Sequence, residues 1–234
     1  MSTSGNASLT DGSSLSVSSA TVGGTLTLAS AGSISQTGAI SADELDATAN
    51  GGDMALKNAS NAISNASLTA SGAVTFYDGT DLNVTGGSAG GDFTVLDTGS
   101  ISFLSSIQLG SGALLAVAGW DGTTTAPASL TDTGAYGNNN ASVIIGGSDA
   151  SGDVSVGSKT GTTTILAGNL LVEAEHAGAQ LGYAAPGSGD ITVKALNAVS
   201  VDSDKSGAVV QIGNGHFAMN GNVSGDISIA SNTV

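Results

Sequence analysis

The sequence predicts an all-β protein built as a parallel β-solenoid, and an internal repeat, a period-two strand pattern and the scarcity of aromatic residues lead to that prediction. The repeat is Gly-Asp followed by a short strand whose first and third residues are apolar. Its glycines lie 39, 61, 37 and 36 residues apart, close to two, three, two and two turns of a unit of about 18 to 20 residues. The five copies are Gly52-Asp53-Met54-Ala55-Leu56, Gly91-Asp92-Phe93-Thr94-Val95, Gly152-Asp153-Val154-Ser155-Val156, Gly189-Asp190-Ile191-Thr192-Val193 and Gly225-Asp226-Ile227-Ser228-Ile229.

The chain length sets the expected number of coils. At about 20 residues per coil and about 4.8 Å between coils, 234 residues predict about 11 or 12 coils and a rod about 55 Å long. Short strand-like runs, such as Leu26-Thr27-Leu28 and Val74-Thr75-Phe76, recur every 8 to 12 residues. That spacing also fits a β-sandwich. The similarity of the repeated phrases favours the solenoid, because the strands of a sandwich need not share a sequence.

The composition predicts how the core is filled. Apolar residues make up 40% of the chain, which argues against disorder, but only eight residues are aromatic. We therefore expect layers of Val, Ile and Leu in the core, and glycines at tight corners that require a positive φ. The recurrence of apolar positions after residue 141 predicts a set of inward-facing side chains: Ile191, Val193, Val209, Ile212, Ile227 and Ile229.

The rhythm of the repeats suggests three regions. Residues 1–119 are expected to form less regular coils, and residues 141–234 regular ones. Residues 120–140, which include Pro127 and three consecutive asparagines, break the rhythm. We interpret them as a protruding loop or as the seam between the two regions.

Charge limits the classes of partner. The formal net charge is −15, and the four basic residues besides the two histidines are all lysines. Such a chain repels phosphate backbones and lacks the bidentate phosphate reader arginine, so nucleic acid is not an expected partner. No apolar run approaches transmembrane length, so membrane insertion is not expected either. The absence of cysteine suits a chain that crosses a cell envelope unfolded.

The aspartates of the Gly-Asp phrases are the first candidate site. A file of like charges along the rod could bind Ca²⁺ weakly, since carboxylate oxygens are the ligands that Ca²⁺ prefers. The favoured interpretation is that each carboxylate caps its own turn, and no cofactor is predicted.

Two other groups of residues were weighed as sites. Glu173, Glu175 and His176 have acid–base side chains, but neighbouring residues on a strand point to opposite faces, and a solvated strand end is the favoured interpretation. Catalysis is not predicted, because carbohydrate-active enzymes also need arginine or several aromatic platforms. A carbohydrate-active β-helix enzyme or a glycan-binding module remains the alternative function.

Residues 120–140 carry the candidate glycan contacts. Trp120 and Tyr136 could stack on a sugar face while the amides of Asn138, Asn139 and Asn140 bind its hydroxyl groups. The competing interpretation is that Trp120 caps or fills a widened part of the core.

Two phrases carry a resemblance to a known family. Val210-Gln211-Ile212-Gly213-Asn214-Gly215 and Gly221-Asn222-Val223-Ser224-Gly225-Asp226-Ile227-Ser228-Ile229 resemble the repeats of filamentous haemagglutinin-like large exoproteins, which are two-partner secretion adhesins of Gram-negative bacteria. The likeness is strong over residues 141–234 and compositional before that. It implies a right-handed parallel β-helix shaft that is exported through an outer-membrane transporter and holds binding regions away from the cell.

The resemblance also implies a place and partners. The family is secreted or displayed on the bacterial cell surface, and the full-length protein would bind a glycan or protein of a host or neighbouring cell. The family's secretion domain carries Asn-Pro motifs, whereas Pro127 and Pro186 both follow Ala, so no export signal or receptor site is transferred to this chain. Uncapped coil edges at its two ends also predict end-to-end self-association.

Overall fold

The computed structural model describes residues 1–123, 140–175, 177–204, 206, 208–215 and 223–231. These ranges contain strands and no helix, so they contain no helix long and apolar enough to cross a membrane. The strands are β1 (Ser2–Thr3), β2 (Ala7–Asp11), β3 (Leu15–Val17), β4 (Ala20–Val22), β5 (Thr25–Ser30), β6 (Ile34–Gln36), β7 (Ile40–Ala49), β8 (Met54–Lys57), β9 (Ala62–Ala70), β10 (Val74–Asp78), β11 (Leu82–Ala89), β12 (Phe93–Asp97), β13 (Ile101–Phe103), β14 (Ile107–Leu109), β15 (Leu114–Ala118), β16 (Ser142–Gly146), β17 (Val154–Ser158), β18 (Thr163–Ala174), β19 (Ala179–Leu181), β20 (Ile191–Ser203), β21 (Val210–Ile212) and β22 (Ile227–Ala230).

The strands stack in parallel on three faces, as in a β-solenoid. Face 1 runs through β3, β6, β8, β10, β12, β15, β18, β20 and β22. Face 2 runs through β1, β4, β7 and β9, and continues through β11, β13, β16, β18 and β20. Face 3 runs through β2, β5, β7, β9 and β11, and then through β14, β17, β19 and β21. The predicted all-β, parallel-strand architecture is thereby confirmed.

Coil lengths follow from the register of face 1. The residues that occupy one position in successive coils are Leu15, Ile34, Met54, Val74, Phe93, Leu114, Thr163, Ile191 and Ile227. The steps are 19, 20, 20, 19 and 21 residues up to Leu114, and 49, 28 and 36 after it. Uniform coils therefore lie in the first half of the chain, which differs from the division suggested by the sequence.

The long steps also explain why face 1 holds nine strands in the described residues, fewer than the 11 or 12 coils expected. The step of 49 includes residues 119–141, which connect β15 on face 1 to β16 on face 2. Residues spent on connections between faces add no coil. At about 4.8 Å per coil, nine strands form a column about 40 Å tall.

The core is a continuous apolar column inside the three faces. Alternate residues of each strand point inward, as in β10, where Val74 and Phe76 are buried and Thr75 is only partly exposed. Aliphatic side chains dominate the column, as expected, but Phe76, Phe93 and Phe103 are also among its largest fully buried members. Aromatic residues therefore contribute more to the core than their low number suggested.

The residues predicted to face inward divide into three groups. Ile191 and Val193 are buried, and Ile212 is partly buried against the core. Ile227 and Ile229 lie in register with Ile191 and Val193 but are 51% and 39% exposed, because no later coil covers them in the described part of the chain.

Val209 was assigned to the wrong face. Val210, not Val209, stacks on Ala179 and packs against the core. Val210 and Ile212 share one face of β21, since strand residues two apart point the same way.

The glycines of the Gly-Asp phrases are needed mainly for close approach between coils. Among the five, only Gly225 has a positive φ, of 106°. A Cβ at Gly189 would collide with the carbonyl oxygen of Gly161 and lie 2.6 Å from that of Ser158. Gly152 differs, since nothing lies within 4 Å of the corresponding point. The expectation that these corners need a positive φ is therefore correct only at Gly225.

We predict that Gly189→Ala destabilises the protein, because the new methyl group has no room beside the preceding coil. Overpacking of this kind costs about 1–3 kcal/mol, which lowers the midpoint of thermal unfolding by several degrees in a chain of this size. Gly152→Ala is the matched control and should leave the midpoint nearly unchanged. Equal effects of the two substitutions, measured by circular dichroism, would contradict the account.

Candidate functional site

The Gly-Asp aspartates lie at corners where one coil meets the next. Asp53, Asp92, Asp190 and Asp226 precede strands of face 1, whereas Asp153 precedes β17 on face 3. All five are exposed. Four of them accept a hydrogen bond from the backbone N–H at the same corner one coil later: Asp53 from Ala73 (2.8 Å), Asp92 from Ala113 (2.8 Å), Asp153 from Gly178 (2.6 Å) and Asp190 from Asp226 (2.8 Å).

These hydrogen bonds revise the expected role of the aspartates. Each carboxylate was expected to cap its own turn, but it caps the corner of the following coil. Serine and asparagine do the same elsewhere: the Ser33 hydroxyl accepts from the N–H of Asp53 at 3.2 Å, and the Asn6 side chain from the N–H of Thr25 at 3.0 Å. We call this set of contacts the inter-coil caps.

The inter-coil caps do not form a continuous row of charge. On face 1, Ala73 stands between Asp53 and Asp92, and Ala113 and Thr162 stand between Asp92 and Asp190. Carboxylates two coils apart are separated by about 10 Å, where solvent and salt largely screen their repulsion. This alternation also explains why the phrase recurs at about 39 residues and not at 20. No group of three or more His, Asp or Glu side chains in the described ranges could hold a metal ion.

Trp120 lies outside the main core. Its indole ring is 3% exposed and covers outward-facing residues of face 1, with Leu96, Val117 and Leu166 as its buried neighbours. The ring of Tyr77 stands 4.9 Å from it at an angle of 58°. Tyr77, Leu96, Val117 and Leu166 occupy one register position in four consecutive coils. We call this group the outer cluster.

The remaining candidate glycan contacts are only partly visible. Tyr136, Asn138 and Asn139 lie outside the described residues. Asn140 is exposed, and its carbonyl oxygen accepts a hydrogen bond from the Asn169 side chain at 3.2 Å. Glycan contact by residues 120–140 stays a prediction, and it requires the Trp120 ring to leave the outer cluster.

Acidic side chains gather at the ends of β18 and β20. Glu173 and Asp202 are partners in neighbouring coils, and Glu175 and Asp204 line the same small pocket. Partial burial, followed by the charges of Glu175, Asp202 and Asp204, raises the pKa of Glu173. The described lining of this pocket includes no basic or aromatic side chain. His176, which the sequence places beside Glu175, lies outside the described residues.

A wider groove of about 630 Å³ runs along face 2 of the first coils. Hydroxyl side chains from successive coils line it, among them Thr3, Thr21 and Ser41, together with the carboxylates of Asp43 and Asp81. Thr21 and Ser41 are direct partners in neighbouring strands. The groove is therefore a smooth polar surface that repeats from coil to coil.

Two buried carboxylates were missed in the sequence. Asp78 and Asp97 end β10 and β12, are partners in adjacent coils and are both 0% exposed. Burial is the main cause that raises the pKa of Asp78 to about 7 and that of Asp97 to about 8. Their position could have revealed them, because each is the fifth residue of a strand whose first and third residues point inward.

The hydrogen bonds of the two carboxylates are unequal. Asp78 accepts from the backbone N–H of Ile63 (3.2 Å) and from the N–H and hydroxyl of Thr80 (3.0 and 2.9 Å). Asp97 accepts through Oδ1 from the N–H of Gly99 at 2.7 Å, whereas its Oδ2 is buried without a partner. A buried polar atom of this kind requires an explanation.

Comparison with known proteins gives one finding. A family model described as "Repeats of unknown function (DUF5649)" matches residues 4–70. The match supports a repeat protein and covers the most uniform coils, where the sequence had shown only a compositional likeness to the exoprotein repeats. No curated protein and no solved structure matches the chain.

We predict that Asp53→Ala destabilises the protein by about 1 kcal/mol, the typical net contribution of one hydrogen bond, because the N–H of Ala73 loses its acceptor. Asp53→Asn keeps an oxygen at the same position and should retain most of the stability. Chemical denaturation of the two variants measures the difference. If the alanine variant were as stable as the asparagine variant, the inter-coil caps would not contribute to stability.

Proposed function

We propose that this chain is a shaft segment of a secreted or surface-anchored bacterial adhesin or exoprotein, wound as a right-handed β-helix. Its task is mechanical: it holds binding regions of the full-length protein away from the cell. Export would use an outer-membrane transporter, and the receptor would be a glycan or protein of a host or neighbouring cell. The chain itself is not proposed to be an enzyme.

The observation that carries the proposal is the parallel hydrogen bonding between coils on all three faces. Every coil donates to and accepts from its neighbours, so an axial load is spread over many bonds acting together. The inter-coil caps add hydrogen bonds at the corners, where strand pairing stops. A stack of this kind is stiff and offers proteases few unpaired strands.

The polar surface supports the same function. The groove on face 2 repeats hydroxyl groups from coil to coil, and the acidic pocket at Glu173 has no basic or aromatic partner among its described residues. Carbohydrate-active enzymes need convergent groups of different chemistry at one place. A uniform polar surface with a net charge of −15 instead favours a solvated spacer. The resemblance of residues 210–229 to exoprotein repeats points to the same class.

Surface display is the part of the proposal that is most directly testable. An epitope tag can be inserted after Thr123, which is exposed, in the protein encoded by its own bacterium. We expect an antibody to label intact cells, and we expect labelling to disappear when the gene of the cognate outer-membrane transporter is deleted. An abundant cytoplasmic protein, probed in parallel, controls for cell lysis. Labelling that appears only after permeabilisation would contradict the proposal.

A further inference from the structure

The buried pair Asp78 and Asp97 has a geometry that two ionised carboxylates do not tolerate. The two residues face each other across adjacent coils and both are 0% exposed. Like charges this close and this far from water repel strongly, and burial of even one isolated carboxylate is costly. One of the two groups must therefore be neutral, or a counter-charge must lie beside them.

The surroundings supply no counter-charge in the described structure. In the next coil the partner of Asp97 is Ala118. On the preceding coil, Lys57 is the partner of Tyr77 and its side chain is exposed, on the outward side of face 1. The remaining charged group that acts on Asp97 is Asp81, whose negative charge adds to that of Asp78. Neutralisation by a proton is the option that the described side chains leave.

The unpartnered oxygen shows where that proton belongs. Oδ1 of Asp97 is already occupied by the N–H of Gly99, whereas Oδ2 is buried without a donor or acceptor. A protonated Oδ2 becomes a donor, and the carboxylate of Asp78 is the acidic acceptor in the adjoining coil. A carboxyl–carboxylate hydrogen bond would satisfy Oδ2 and remove the repulsion together.

We propose that Asp78 and Asp97 share one proton at neutral pH and act as a pH-sensitive lock between their two coils. The lock is independent of the proposed shaft function. It stands next to the outer cluster, since the backbone carbonyl of Asp97 accepts a hydrogen bond from the N–H of Trp120 at 2.8 Å and Leu96 packs against the indole ring. Loss of the proton loosens the place where residues 119–123 leave face 1.

The direction of the pH dependence follows from the raised pKa of both groups. The folded protein binds a proton that the unfolded chain releases near pH 4, so stability is highest in acid and falls as the pH rises through about 7 to 8. Trp120, the only tryptophan of the chain, reports the event, because its emission moves to longer wavelength when water reaches the ring.

The test compares thermal unfolding, followed by Trp120 emission, at pH values from about 5 to 9. The unfolding midpoint of the wild type should fall over this range. Asp97→Asn supplies a permanent amide donor toward Asp78, so its midpoint should fall less and exceed that of the wild type at the alkaline end. Asp92→Asn removes a charge from the same coil but keeps its inter-coil cap, and its profile should run parallel to that of the wild type.

A profile of Asp97→Asn that runs parallel to the wild type would overturn the proposal. A second measurement does not depend on any variant. In carbon-13 spectra of the wild-type side-chain carboxyl groups, at least one of the sixteen aspartates should still be protonated at pH 6. Complete ionisation of all sixteen at that pH would overturn the proposal even if the variants failed to fold.

Discussion

Parallel strand pairing fixes successive coils about 4.8 Å apart, and this spacing constrains almost every other feature of the chain. At the corners the backbones approach so closely that a Cβ at Gly189 would strike the preceding coil. The same closeness brings the side chain of Asp53 or Asp92 within reach of an N–H in the next coil. Glycine and aspartate therefore recur together because one makes room at the corner and the other satisfies the backbone there.

The sequence was sufficient for the architecture because the repeat itself records the stacking. A phrase such as Gly91-Asp92-Phe93 contains the corner, its cap and the first inward side chain, and the register places Phe93 on Val74 of the preceding coil. The coil count was too high because residues that connect faces, such as 119–141, look like coil residues in composition. Asp153 repeats the phrase on a different face, so the phrase marks a corner and does not say which one.

The candidate sites were harder to predict because they depend on what lies on the outside of a strand. Trp120 was expected in a loop or in the core, yet it covers Leu96 and Val117, two outward residues that a period-two pattern would expose to water. Asp78 and Asp97 share the parity of core residues, but an aspartate after an apolar strand usually indicates a turn. Only the register, which stacks the two carboxylates, reveals that they form a buried pair.

The central claim is that residues one coil apart are direct neighbours, and a cross-link tests it because the chain has no native cysteine. Thr75 and Thr94 are partners on face 1, both partly exposed, and Leu115 occupies the same position one coil further on. A disulfide requires Cα atoms about 4.4–6.8 Å apart. Under mild oxidation, a protein with Thr75→Cys and Thr94→Cys should form the bond, whereas Thr75→Cys with Leu115→Cys should not. Efficient cross-linking of the second pair, or failure of the first in folded protein, would contradict the stacked-coil account.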